Sequence, residues 1–176
     1  MICPEHLEEL LKSAIDQGII DLNFESVEGD AVYDRLCYSD NLGRTNTGRL
    51  KRRYINAYSL AADGGMWCCF GEDPLHNYAP MQWGCGKPNR PRTEFNGPKI
   101  IKYEHPPKVE TRIFLLSVPA HIWEKVAERY GVAITEEDRT RSFWAWVHKS
   151  NIPIILVEGA KKAGCLLSAG YAAMEA

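Results

Sequence analysis

Leu7, Leu10, Leu11 and Ala14 recur at the three- and four-residue spacing of a helical face, with Pro4 as a first helical residue and Gly18 as a stop. Short helices are expected over residues 19–24 and, after Gly29, over 30–38, each with an acidic outer face. The chain is polar and turn-like at 41–46. After the Asp63-Gly-Gly65 turn, Met66-Trp-Cys-Cys-Phe70 is a β-prone run. Residues 71–98, rich in Gly, Pro, Asn and aromatics, read as irregular or tightly turned. Strands are expected to resume at 99–103 and 112–118.

A helix then follows Pro119 over Ala120–Tyr130, its apolar face being Ile122, Trp123, Val126 and Ala127, with Gly131 as its end. Thr135 with Asp138 three residues on is an N-cap pattern for a helix carrying Phe143, Trp144, Trp146 and Val147. Residues 152–157 form an apolar run of the kind central parallel strands require, so 153–157 is expected as a buried central strand. A helix over 159–169, Gly170 as its C-cap and a further strand from Tyr171 complete the pattern. The fold class is α+β, in three stretches: an acidic helical cap (1–43), a basic, β-rich and loop-heavy region (44–118), and helices leading into a strand–helix–strand unit (119–176).

At 176 residues, 45% hydrophobic and 25% charged, the composition is that of a soluble globular protein. No apolar run approaches a membrane span, and the N-terminus does not resemble a signal peptide, so a cytoplasmic location without membrane contact is expected. The net charge of −2 conceals segregation: residues 1–43 carry two basic and ten acidic side chains, whereas 44–112 carry twelve basic and six acidic. Such a basic middle segment suits a phosphate-rich partner. The six cysteines include no CxxC pair and read as reduced thiols. Cys68 or Cys69, His76 and Cys85 lack the tight paired spacing of structural zinc ligands, which argues against zinc.

Two places could carry chemistry. Glu158, ending a parallel strand, would sit at the carboxyl edge where open α/β sheets bind ligands. Gly159 would let the backbone turn into a helix whose amides face the same crevice, with Lys161 and Lys162 on its first turn reaching toward phosphate. The plainer reading is a βαβ unit with solvated charges. The second place is Arg44-Thr-Asn-Thr-Gly-Arg-Leu-Lys-Arg-Arg53, five basic residues in ten. Arg44, Arg49, Lys51, Arg52 and Arg53 there, with Gly48 and the hydroxyls of Thr45 and Thr47, allow close approach to a phosphate backbone. A solvated loop is the alternative.

Val157-Glu-Gly-Ala-Lys-Lys-Ala163, with Leu166 and Gly170-Tyr171, resembles the opening of the Toprim domain of bacterial primases and topoisomerases. More closely, the chain is similar to the N-terminal part of large cyanobacterial plasmid replication proteins that carry a Toprim-like domain ahead of a helicase. The similar stretches include Glu28-Gly-Asp30, Tyr38-Ser-Asp40, 44–49, Asp73-Pro-Leu75 with Asn77, Trp83-Gly84, 102–107 and 152–171.

The resemblance implies a Toprim-like α/β layer, a metal-binding and catalytic role for Glu158 with Mg²⁺, and a template-DNA contact at Lys102 beside Tyr103. It also implies a helicase domain in the same parent chain. The Toprim motif continues to a strand ending in an Asp-x-Asp pair, which would only be starting at Ala176. The sequence is therefore expected to be a segment of a longer protein or a truncated relative, inactive by itself. The expected function is that of a replication-protein segment binding single-stranded DNA or nucleotide phosphates. A non-enzymatic DNA- or protein-binding module and an unrelated nucleotide-binding enzyme are the alternatives.

Overall fold

The computed structural model describes residues 1–94, 97–113 and 115–175. The chain is α+β and divides into two compact units interleaved in sequence. The first comprises Met1, Glu25–Cys69 and Gln82–Thr111; the second comprises Ile2–Phe24, Phe70–Met81 and Arg112–Ala176. Strands β1 (Phe24–Val27), β2 (Met66–Asp73) and β3 (Ala79–Pro88) form a three-stranded sheet in that order, and the division between units falls within them.

In the first unit, α3 (Asp30–Leu36) packs on α4 (Arg52–Gly64). The sequence pattern did not announce α4, because only Tyr58, Ala61 and Ala62 of its residues are buried and two of these are small. Tertiary hydrogen bonds hold its end: the Ala62 carbonyl accepts from Gly29 N–H at 2.9 Å, and Asn89 donates from its amide to the Gly64 carbonyl at 2.9 Å. The core here is Val32, Leu36, Met66, Trp67 and Trp83, with the thiols of Cys68, Cys69 and Cys85 buried among them. Burial pushes the Cys68 thiol up to about 12. The turn-rich stretch expected as irregular contains β3, and 99–103 is not a strand but supplies the isolated bridge of Ile100 to Thr93.

In the second unit, α1 (Pro4–Lys12) packs on α2 (Gln17–Asn23). Helix α5 (Ala120–Tyr130) buries Ile122, Trp123 and Val126, as its periodicity requires, and ends at Gly131 in the left-handed region. Thr135 and Asp138 form a reciprocal capping box, but it starts only the single turn α6 (Glu136–Arg139); α7 (Phe143–Lys149) begins separately with Ser142 as its N-cap. Trp123, Phe143, Trp144 and Trp146 form one aromatic cluster, with centroids 5.0–5.8 Å apart. The Trp144 indole donates to the Leu116 carbonyl and that of Trp146 to Ala133, so both buried N–H groups are satisfied. Of the expected strand 112–118, Leu115 makes an isolated bridge to Glu72, and Phe114 lies outside the described residues.

The unit's last elements are β4 (Ile155–Val157), α8 (Ala160–Ser168) and β5 (Ala173–Glu175). The two strands pair in parallel, Ile155 opposite Ala173 and Val157 opposite Glu175, with α8 packed on both. This is the expected strand–helix–strand unit, with one correction. The apolar strand is not a buried central one: Ile155 is 37% and Leu156 63% exposed. Apolar character makes burial favourable but does not supply it. A parallel strand is buried when strands flank both its edges and helices cover both its faces, and here β4 has β5 as its partner in a two-stranded sheet.

Candidate functional site

The turn between β4 and α8 is built by Gly159, whose φ of +94° lies where side chains other than hydrogen are strained. Glu158, one residue past β4, is 95% exposed, with the Lys162 ammonium 3.9 Å from its carboxylate. The two lysines of the first turn separate in role. Lys162 shares the solvent-facing side with Glu158, but Lys161 turns away and donates to Glu9 at 2.7 Å. Only one of the expected cationic pair is therefore available at the turn.

The register places a second carboxyl at the same strand edge. Glu175 lies opposite Val157, next to the turn, and accepts a hydrogen bond from the Ala160 N–H at the start of α8. Burial pushes its pKa up to about 7, and that N–H opposes the shift only in part. Sequence reasoning missed Glu175; the signal was a lone acidic residue ending an apolar strand, which says nothing of register until the pairing is known.

Mg²⁺ at such a strand edge takes one or two carboxylates together with substrate phosphates. Glu158 offers one exposed carboxylate, Glu175 is turned onto the Ala160 amide, and no group of three acidic, His or Cys residues suited to a metal occurs among the described residues. The donor set present does not make a metal site by itself.

The basic run belongs to the first unit. Thr45 N–H donates to the Arg49 carbonyl, Gly48 N–H to Thr45, and Lys51 N–H to Gly43, which closes 43–51 into a loop with Gly48 at φ +79°. The hydroxyls of Thr45 and Thr47 bond each other. Arg44 is spent on the loop, donating to the carbonyls of Gly48 and Cys37. Arg53 lies over the Tyr54 ring and donates to its hydroxyl. Arg49, Lys51 and Arg52 project as exposed side chains, the last two opening α4, where cations oppose the helix dipole. Lys102 is likewise exposed in the same unit, followed by Tyr103, 45% exposed and 6.0 Å from the Trp67 ring.

The ion pairing of the two units differs. Eight of the nine lysines and arginines of the second unit bond a carboxylate or a main-chain carbonyl, and the ninth, Lys162, forms a looser ion pair with Glu158 at 3.9 Å. In the first unit Arg35 pairs with Glu25 and Arg92 with the buried Glu104, but Arg49, Lys51, Arg52, Arg90, Lys99, Lys102 and Lys108 have no side-chain partner among the described residues. By unit, the formal charge is +3 in the first, with twelve basic and nine acidic residues, and −5 in the second, with nine and fourteen. The acidic residues of α3 fall in the first unit and reduce the excess that linear counting shows. Of the zinc candidates, Cys68, Cys69 and Cys85 are buried thiols, and His76 belongs to the second unit, bonded to Asp73 at 2.7 Å.

Residues 143–175, from α7 through β5, match a domain of unknown function, DUF3854. The chain is 41% identical over 181 aligned residues to an uncharacterized protein of Picosynechococcus sp.. That alignment takes in 98% of this chain and 17% of the relative, so the chain spans about a sixth of the length of the curated protein it matches. No solved structure matches.

Proposed function

We propose that this chain is a DNA-binding segment of a replication protein, and that its basic unit holds single-stranded DNA by the phosphate backbone. The observation that carries this reading is the unequal pairing of cations. A lysine or arginine already bonded to a carboxylate must give up that bond to meet a phosphate. Arg49, Lys51, Arg52 and Lys102 are exposed and have no side-chain partner among the described residues to give up. Tyr103 beside Lys102 adds an exposed ring on which a base can stack. The resemblance to Toprim-bearing plasmid replication proteins supports the same partner, and a helicase domain in a longer parent chain belongs to this reading. Within these residues the role is binding: a lone exposed carboxylate at Glu158, already 3.9 Å from Lys162, with Lys161 tied to Glu9, favours a binding module over a nucleotidyl-transfer centre.

Fluorescence anisotropy with a labelled oligothymidylate tests it. Four phosphate contacts give a log–log salt slope of about −2.8 for a single strand, or about a fifty-fold loss of affinity between roughly 50 and 200 mM salt. Reversing Arg49, Arg52 and Lys102 to Glu removes at least about 0.7 of slope per contact. Unchanged affinity of that variant at low salt overturns the proposal. Glu158→Gln leaves the binding equal or slightly tighter.

A further inference from the structure

The second unit contains a half-open cleft of about 580 Å³ that the proposed function does not use. Its volume lies within the range of about 300–1,000 Å³ that small-molecule sites occupy. One wall is the short connection between β2 and β3, the other the segment between α6 and α7.

Glu72 lines the cleft and is held from several directions. Ser117 Oγ donates to its Oε1 at 2.8 Å and Ser142 Oγ to its Oε2 at 2.6 Å, while its main chain exchanges hydrogen bonds with Leu115. One donor per oxygen fixes the carboxylate plane and leaves each oxygen a further lone pair. Asn77 and Tyr78 stand opposite on consecutive left-handed residues, at φ +53° and +58°. Non-glycine residues adopt that conformation at a cost, and here the hairpin enforces it. Asp73 accepts from Leu75 N–H, His76 and Arg112, and its carbonyl from Tyr78 N–H. Held this way, the Asn77 amide and the Tyr78 hydroxyl have no protein partner among the described residues. Arg141, at the cleft's edge, has only the exposed i,i+4 pair with Glu137, which is weak enough for an anionic ligand to displace.

The geometry points to a binding site for a mononucleotide. A ligand for this cleft must present N–H donors to a fixed carboxylate, a flat ring to Tyr78, mixed hydrogen-bonding edges to Asn77, and an anion to Arg141. A nucleobase with an exocyclic amino group joined to a phosphate has all four, and guanine, with two adjacent donors on one edge, suits a carboxylate best. Thymine offers one N–H between two carbonyls, which face the same carboxylate oxygens repulsively. The site therefore takes guanosine monophosphate in preference to thymidine monophosphate.

Isothermal titration of the 176-residue chain with GMP, TMP, guanosine and inorganic phosphate decides it. GMP is expected to bind about tenfold or more tightly than TMP, since a hydrogen bond to a charged group is at stake. Arg141→Ala brings GMP down to the affinity of guanosine. Asn77→Gly relieves the left-handed strain, which offsets the entropy glycine adds to the unfolded chain, so it folds about as stably, yet it loses GMP affinity. Reversal of Arg49, Arg52 and Lys102 leaves GMP binding unchanged, which separates this site from the DNA surface. The inference is overturned by equal affinity for GMP and TMP, by phosphate alone binding as well as GMP, by retained affinity in both cleft variants, or by no binding at millimolar GMP.

Discussion

Glu175→Gln is a sharp test of how the β4–α8 turn is built, because it sets two opposing effects against each other in one side chain. Burial disfavours the carboxylate, whereas the start of α8, through the Ala160 N–H, favours it. The pKa of about 7 against 4.5 for an ordinary glutamate says that burial wins. A native pKa above the unfolded one means the folded state holds the proton more tightly. Stability is therefore highest below the unfolded pKa and falls as pH rises from about 4.5 to about 7, staying at its lower level above that. The full gap corresponds to about 3 kcal/mol, and screening of this partly exposed group reduces it to about 1–2 kcal/mol. Glutamine keeps the shape and the acceptor for Ala160 N–H but cannot ionise. Urea denaturation should then show the variant more stable than the parent by about 1–2 kcal/mol at pH 8 and equal to it at pH 4. The helix-terminus attraction is worth about 0.3–1 kcal/mol. A variant less stable than the parent at pH 8 would mean that this attraction dominates, and the account of the turn would be wrong.

In the second unit, Asn23 is 4% exposed; its amide donates to the Ile19 and Ser117 carbonyls and its oxygen accepts from Ser117 N–H. Asn23→Ala orphans those groups and should cost about 2–3 kcal/mol in chemical denaturation; a loss below about 0.5 kcal/mol refutes the bridging role. In the first unit, Arg92 donates to both oxygens of Glu104, which is 3% exposed and whose pKa is raised because desolvation outweighs the arginine. Arg92→Leu leaves that carboxylate unpaired and should destabilise by about 3–5 kcal/mol at neutral pH. The loss should shrink as pH falls and Glu104 takes up a proton, so a pH-independent loss in stability curves would contradict it.

The sequence by itself determined the elements whose signals are local. The apolar face of α5 and the Thr135–Asp138 capping box need only neighbours within a turn or two, and so does the glycine turn after β4. What it could not show depends on residues far along the chain. Helix α4 escaped notice because its buried face is two alanines and a tyrosine and its end is held by Gly29 and Asn89. The capping box started one turn instead of the whole helix, since Ser142 offered a second cap to Trp144 N–H. For β4, composition indicated an apolar strand, but burial is a property of the neighbours a strand acquires, and β5 is its pairing partner.

The site followed the same division. That Glu158 ends a strand and that 44–53 is basic could be read directly, yet the availability of each charge could not. Lys161 meets Glu9 across 152 residues of chain, Arg44 is consumed by its own loop, and Glu175 reaches the turn only through strand register. A charge in sequence is a fixed quantity, but whether it is free to meet a ligand depends on which opposite charges and carbonyls the fold brings within hydrogen-bonding distance. Only the tertiary structure decided that.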